Sequence, residues 1–182
     1  MPSDTLTEVL IVHDHEIVRK GLVMLISRQE DLVVAGEAGS AAEAVEKSGE
    51  LTPDVVVLDI RMPDGSGVEA CREIRVENPE VKVLMLTSYS DEEAVMGSIM
   101  AGASGYLLKE IRSEEIVDAI KRVGAGQSLL DPMVTASVLD RIRNGNDADD
   151  GWNQLTSQEQ RILESIAEGK TNREIAQEIH LS

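Results

Sequence analysis

"DVVVLDIRMPDGSGVEACREIR", residues 54–75, is the stretch that decides the fold. Its first six residues, 54–59, place four consecutive apolar residues between two acids. A strand that is apolar on both faces is typical of a parallel sheet covered by helices on two sides. A loop with proline and glycine, 61–67, follows, and the sequence then predicts a helix over about 67–77. The segment therefore indicates one strand–loop–helix unit of an α/β fold.

The same alternation of short apolar strands and amphipathic helices runs along the first two thirds of the chain. A helix follows each strand, and Ser40–Glu43 and Ser90–Glu93 form capping boxes at the start of two of these helices. Five such units predict a parallel sheet with right-handed crossovers and helices on both faces. The predicted strands are 8–13, 32–37, 54–59, 81–86 and 105–109.

The pattern changes near residue 126, where the fifth unit ends in a glycine-bearing turn. We predict an α/β domain over 6–126, a linker over 127–154 and a partial all-α segment over 155–182. A proline after a capping residue favours a linker helix over about 131–143. Its apolar stripe predicts either a homodimer contact or a cover for the α/β domain.

Composition narrows the class of protein. The 182 residues are 42% hydrophobic and 2% aromatic, and the formal net charge is −17. Such an acidic chain repels phosphate backbones and anionic membranes, so binding of nucleic acid requires a local basic surface. Cys71 is the only cysteine, which excludes a disulfide framework and fits a reducing cytoplasm. Without an 18-residue apolar run or a basic leader, we expect no membrane contact.

Four functional side chains fall at the carboxyl ends of the predicted strands: Asp14, Asp59, Thr87 and Lys109. Ligand sites of open parallel sheets form at this edge, where the strand order reverses. If the first and third strands are neighbours, Asp14 and Asp59 converge there, and a cation is needed to hold two carboxylates together. Oxygen ligands of this kind favour Mg²⁺.

The same set of residues predicts phosphoryl transfer to a carboxylate. Asp59 is the candidate nucleophile, which would form an acyl phosphate. The cation, the Lys109 ammonium and the Thr87 hydroxyl would stabilise charge on the transferring oxygens.

Five segments carry a resemblance to a known family: "LIVHDHEIVRKGL", "DVVVLDIRMPDGSGVEACREIR", "VLMLTSY", "AGASGYLLKE" and "LTSQEQRILESIAEGKTNREIAQEIHLS". Over almost the whole chain the sequence resembles two-component response regulators of the NarL/LuxR type, and most of all the actinobacterial dormancy and hypoxia regulators. The resemblance implies a flavodoxin-like receiver, a doubly wound sheet with strand order 2-1-3-4-5, followed by part of a LuxR-type helix-turn-helix domain. It also implies a transcription regulator in the cytoplasm, with a sensor histidine kinase as its phosphodonor.

By this resemblance Asp59 is the phosphoacceptor, Asp14 a ligand of Mg²⁺, and Arg61 the donor of a backbone carbonyl to the metal. Thr87 and Lys109 bind the phosphoryl group. Tyr106, three residues before Lys109, is the aromatic residue that changes rotamer when Thr87 moves.

His13 is a departure, because the family usually carries two adjacent acids after the first strand. An imidazole suits Mg²⁺ poorly compared with a carboxylate, so we expect His13 to be an atypical ligand that weakens metal binding. Two further interpretations stay open: a pH-dependent site, and a degenerate receiver that acts as an interaction module without phosphorylation.

The C-terminal segment predicts the first two helices of the helix-turn-helix domain, and we expect the recognition helix to lie beyond Ser182. Residues 155–182 contain three basic and five acidic side chains, so they lack a basic surface for DNA. We expect the complete protein to bind DNA and this fragment not to bind it specifically. Lys170, Thr171 and Asn172, at a helix start, are candidate phosphate contacts.

An enzyme is a second class of protein that these residues could form. Mg²⁺-dependent phosphohydrolases with an aspartyl nucleophile commonly place a second acid two residues later, as the general acid. That position is Arg61 here, which cannot act as a general acid. We therefore expect a regulator and not an enzyme.

Overall fold

The computed structural model describes residues 5–87, 92–130, 136, 139–140 and 155–180. Five parallel strands form one sheet in the order β2-β1-β3-β6-β7. The sheet strands are β1 (Thr7–Val12), β2 (Leu32–Ala38), β3 (Val55–Asp59), β6 (Lys82–Thr87) and β7 (Gly105–Leu108). This is the predicted order 2-1-3-4-5, so the doubly wound fold is confirmed.

Two short strands that the sequence did not predict lie in the loop after β3. β4 (Arg61–Met62) and β5 (Gly65–Ser66) pair antiparallel as a small hairpin. The first turn of the next helix then passes close to the end of β3. A Cβ added at Gly67 would lie 2.0 Å from the carbonyl oxygen of Asp59, so only glycine fits there.

Helices cover both faces of the sheet, as alternation of side chains along each strand requires. On one face α2 (Ala41–Leu51) and α3 (Gly67–Glu77) pack on side chains such as Leu10 and Val56. On the other face α1 (Glu16–Ser27) and α5 (Ser113–Gly124) pack on Val9 and Val57. The remaining helices are α4 (Glu92–Met100), α6 (Ser157–Ala167) and α7 (Asn172–His180).

A third apolar cluster joins the C-terminal helices to the α/β domain. It contains Val95 and Ile99 of α4, Leu163 and Ile166 of α6, and Ile175 of α7. The cluster also contains Leu130 and Leu139, both nearly fully buried. The C-terminal helices therefore share a core with α4.

Part of the predicted linker belongs to the sheet edge. The backbone N–H of Leu129 donates to the carbonyl of Ser104 (2.8 Å), and Leu129 forms a bridge with Gly105. The predicted linker helix 131–143 lies outside the described residues except at 136, 139 and 140, which are helical. The Ser90–Glu93 capping box also falls partly outside them.

Candidate functional site

Asp59 lies at the carboxyl end of β3 and is 3% exposed. The ammonium of Lys109, just after β7, contacts Asp59 Oδ2 at 2.8 Å. The backbone N–H of Arg61 donates to Asp59 Oδ1 (3.2 Å). The structure thus brings the predicted nucleophile and the predicted lysine into direct contact, with donors on both oxygens of the carboxylate.

Thr87 and Lys109 are joined through the backbone. Thr87 ends β6 and is 6% exposed, and its carbonyl accepts a hydrogen bond from the backbone N–H of Lys109 (2.7 Å). Because β3 and β6 are paired, Thr87 lies at the same edge of the sheet as Asp59. The four strand-end residues of the sequence prediction therefore occupy one edge.

His13 stands between the two acids. It is 1% exposed, with Nε2 at 3.3 Å from Asp59 Oδ2 and Nδ1 at 3.1 Å from Asp14 Oδ1. The backbone N–H of His15 donates to His13 Nδ1 (3.0 Å), so this nitrogen carries a lone pair and the neutral ring bears its proton on Nε2. Burial lowers the pKa of His13 below its ordinary value, and the neighbouring Asp59 carboxylate offsets this only in part.

Arg19 of α1 holds the loop that carries these side chains, and the sequence analysis did not identify it. Its guanidinium Nη1 donates to the backbone carbonyls of His13 (2.7 Å) and Asp14 (3.3 Å). Its Nε lies 3.6 Å from Glu37 Oε1 on β2. The sequence signal is weak, because a basic residue on an amphipathic helix is normally a solvated side chain.

The oxygen donors fit a hard dication such as Mg²⁺, while His13 does not. Two carboxylates, Asp14 and Asp59, and the carbonyl of Arg61 are suitable oxygen ligands. Among the described residues, the one group of three His, Cys, Asp or Glu side chains with ligand atoms within 4.8 Å of one another is His13, Asp14 and His15. Asp59 is outside that group, because the imidazole of His13 lies between the two acids.

Tyr106 lies in the middle of β7 and packs against two clusters. One is the core between the sheet and helices α2 and α3, and the other is the cluster that includes α6 and α7. The predicted switch residue therefore packs on the core between the sheet and α2 and α3, and on the apolar cluster that α4 shares with the C-terminal helices.

The candidate DNA contacts at the start of α7 lie away from Asp59 and have partners within the chain. Lys170 Nζ contacts Glu168 (2.7 Å) and Glu178 (2.8 Å). The side chain of Thr171 donates to Glu174 (2.9 Å), a capping interaction. Asn172 Nδ2 donates to Ser104 Oγ (2.7 Å), just before β7.

Two family models match the chain. The response regulator receiver domain matches residues 9–121, and the luxR family of bacterial regulatory proteins matches residues 153–182. Within the part of the chain that the structure describes, no helix has the length and apolar character needed to cross a bilayer.

Individual relatives agree with both models. The DNA-binding transcriptional activator DevR/DosR of Mycobacterium tuberculosis is 44% identical over 97% of this chain and 82% of its own length. The response regulator protein VraR of Staphylococcus aureus is 38% identical over 96% of this chain and 82% of its own length.

Solved structures show the same similarity. A LuxR-family two-component response regulator from Aurantimonas sp. matches 78% of this chain and 100% of its own, with 33% identity and a TM-score of 0.68. The response regulator ChrA of a heme-sensing two-component system matches 97% of this chain and 83% of its own, with 30% identity and a TM-score of 0.59. The chain therefore belongs to the response regulators of two-component systems that carry a receiver domain and a LuxR-type DNA-binding domain.

Proposed function

We propose that Asp59 accepts a phosphoryl group from a sensor histidine kinase and that the acyl phosphate controls DNA binding by the LuxR-type domain. The observation that carries this proposal is the pairing of buried Asp59 with Lys109 at 2.8 Å and with the Arg61 N–H at 3.2 Å. Donors on both oxygens orient the carboxylate. The same donors can neutralise charge that develops on the transferred group.

Asp14, Asp59 and the backbone carbonyl of Arg61 would hold Mg²⁺, which supplies charge neutralisation for the attacking and transferred oxygens. His13 would act against this arrangement. Its Nε2 lies 3.3 Å from Asp59 Oδ2 and its Nδ1 3.1 Å from Asp14 Oδ1, so the ring separates the two acids. We expect slower phosphorylation than in a variant with an acid at this position, and not an inactive site.

Thr87 and Lys109 would bind the phosphoryl group, and Tyr106 would respond to their movement. The backbone bond between Thr87 and Lys109 makes a shift at β6 move the start of the loop after β7. Tyr106 packs on both the receiver core and the cluster that holds α6 and α7. A rearrangement around Tyr106 would therefore change how the C-terminal helices pack.

We propose a receiver over 6–126, a linker over 127–154 and a helix-turn-helix segment over 155–182. Within the last segment Lys170, Thr171 and Asn172 would contact DNA phosphates only after the contact of Asn172 with Ser104 has been released. A homodimer stays a prediction. Leu139 of the predicted linker helix is buried against the chain's own helices, which leaves less of that apolar stripe for a partner.

Intact mass spectrometry tests the phosphoacceptor. The chain is incubated with Mg²⁺ and a small-molecule phosphodonor, beside the variants Asp59→Asn and Asp54→Asn. Asp54 precedes the same strand at its opposite end and is exposed, so its variant is the matched control. We expect a gain of one phosphoryl group in the wild type and in Asp54→Asn, and none in Asp59→Asn. Equal gains in all three chains would contradict the proposal.

A further inference from the structure

The loop that follows Asp59 is tied at its tip to the start of α2. Asp64 lies between the two strands of the β4–β5 hairpin, and its carboxylate accepts two hydrogen bonds from this helix. The backbone N–H of Ala41 donates to Asp64 Oδ1 (2.9 Å), and that of Ala42 donates to Asp64 Oδ2 (3.1 Å). The bonds therefore join two elements that are 22 and 23 residues apart in the sequence.

The start of α2 also has a cap that is local in the sequence. The side chain of Ser40, the N-cap residue, accepts the N–H of Glu43 (3.1 Å), and Glu43 Oε2 accepts the N–H of Gly39 (2.7 Å). The first N–H groups of a helix have no partner within the helix itself, and water or a nearby acceptor binds them. Here the loop after β3 supplies that acceptor for Ala41 and Ala42.

The electrostatics of these two bonds favour an ionised carboxylate. The N–H groups of Ala41 and Ala42 lower the pKa of Asp64 below its ordinary value, so Asp64 is negatively charged at neutral pH. A negative charge at the start of a helix is also favoured by the helix dipole. The charge-assisted bonds are stronger than bonds between neutral groups, which suits a contact that must fix a loop.

The same loop carries the backbone groups that lie next to Asp59. The N–H of Arg61 donates to Asp59 Oδ1 (3.2 Å), and the carbonyl of Arg61 is the proposed Mg²⁺ ligand. At the other end of the loop the N–H of Gly67 donates to the carbonyl of Ile60 (2.8 Å). Because Arg61 is three residues before Asp64, a displacement of the loop tip changes the position of both its backbone groups.

The hairpin itself is too small to fix its tip. It pairs only Arg61 with Ser66 and Met62 with Gly65, and even longer two-stranded hairpins are marginally stable on their own. Met62 is buried, whereas residues 63–65 are exposed. The two bonds from α2 therefore fasten the exposed side of a loop whose other side is held by the core.

We propose that Asp64 is a positioning residue: its two hydrogen bonds to the start of α2 hold the β4–β5 hairpin so that the N–H and the carbonyl of Arg61 keep their places beside Asp59. The effect on the hairpin stands on these bonds alone. The effect on Mg²⁺ and on phosphoryl uptake rests on the proposed function of Asp59.

Amide hydrogen exchange of the full chain, followed by NMR without Mg²⁺, tests the positioning directly. The variant is Asp64→Ala, and Ser40→Ala is the matched control, because it weakens the same helix start through a bond that does not involve the loop. We expect exchange at the Arg61 N–H to become roughly fivefold faster in Asp64→Ala and to change by less than about twofold in Ser40→Ala. Asp64→Asn keeps one oxygen acceptor and should lie between the wild type and Asp64→Ala. Equal exchange at Arg61 in the wild type and Asp64→Ala, or equal acceleration in Asp64→Ala and Ser40→Ala, would overturn the proposal.

The Mg²⁺ dependence of phosphoryl uptake tests the consequence for the site. A loss of stability alone leaves the Mg²⁺ concentration at half-maximal rate unchanged in the folded chain. We expect Asp64→Ala to raise that concentration by about tenfold, as when other groups that orient a metal ligand are removed, and Ser40→Ala to leave it unchanged. The same half-maximal concentration in the wild type and Asp64→Ala would refute the effect on Mg²⁺.

A failure of the proposed function gives a different result. The wild type would then take up no phosphoryl group, like Asp59→Asn, and the effect of Asp64 on uptake would be refuted with it. The faster exchange at Arg61 in Asp64→Ala would still be observed, since it depends only on the hydrogen bonds to Ala41 and Ala42.

Discussion

Replacing Gly67 with alanine tests how Asp59, the proposed phosphoacceptor, is positioned. Gly67 is the first residue of α3, and its backbone N–H donates to the Ile60 carbonyl (2.8 Å). An added Cβ would lie 2.0 Å from the Asp59 carbonyl oxygen and 2.9 Å from Ile60 Cα. Both atoms belong to the backbone, so no side-chain rotation relieves the clash.

The size of the effect follows from the distance that must be regained. Nonbonded carbon and oxygen atoms need about 3.3 Å, so α3 and the end of β3 must separate by roughly 1 Å. Loss of the Gly67–Ile60 hydrogen bond costs about 1 kcal/mol, and overpacking adds about 1–3 kcal/mol. The helix propensity of alanine returns at most about 1 kcal/mol. We therefore expect Gly67→Ala to lower the free energy of unfolding by about 1–4 kcal/mol and to slow phosphoryl uptake by Asp59.

Urea unfolding and phosphoryl uptake measure the two effects, with Gly21→Ala as the control. Gly21 lies within α1, and a Cβ there would meet nothing within 4 Å, so we expect this variant to gain up to about 1 kcal/mol. If Gly67→Ala were as stable as Gly21→Ala and took up phosphate at the wild-type rate, the close approach at Asp59 would not exist in solution.

Three further predictions concern other parts of the chain. Burial raises the pKa of the Cys71 thiol to about 12, so we expect iodoacetamide to modify it only after unfolding in urea, as mass spectrometry would show. Hydrogen bonds from the backbone N–H groups of Ala41 and Ala42 at the start of α2 lower the pKa of Asp64. The contribution of Asp64 to the free energy of unfolding is therefore present above about pH 4 and is lost as the pH falls further. The difference in stability between the wild type and Asp64→Asn, measured by urea unfolding, should shrink from pH 6 to pH 3. The variant Asn172→Ala loses the hydrogen bond to buried Ser104, which lowers the local stability of α7 by about 1 kcal/mol. Amide hydrogen exchange in α7 should therefore become roughly fivefold faster, while exchange in β3 does not change.

Hydrophobic periodicity predicted the five sheet strands because each one is a run of apolar residues bounded by polar ones. The order of the strands came from the family resemblance, since period alone does not say which strands are neighbours. The hairpin of Arg61–Met62 with Gly65–Ser66 was missed because two-residue strands have no period. The pairing of Leu129 with Gly105 was missed for a similar reason, since a single bridge leaves no pattern in the sequence.

The sequence predicted those residues of the site that lie at the carboxyl ends of strands. Asp59 and Lys109 are brought together because Asp59 ends β3 and Lys109 follows β7, two parallel strands whose carboxyl ends share an edge. The sequence also marked His13 as unusual, but it could not show that the imidazole contacts Asp14 with one nitrogen and Asp59 with the other. That arrangement depends on the rotamer of one buried ring, and on the position in which Arg19 holds the loop.

Strand β7 lies between the residue that contacts Asp59 and the residue that contacts α7. Ser104, which accepts the bond from Asn172, immediately precedes the strand, and Lys109, which contacts Asp59, immediately follows it. Five residue steps of extended chain span roughly 17 Å, with Tyr106 between the two ends. The strand is paired with β6 along its whole length. Under the proposed function, a shift of Lys109 toward a phosphoryl group would therefore be transmitted along β7 to Ser104 without unfolding either domain. The first detectable consequence would be the loss of the hydrogen bond between Asn172 and Ser104.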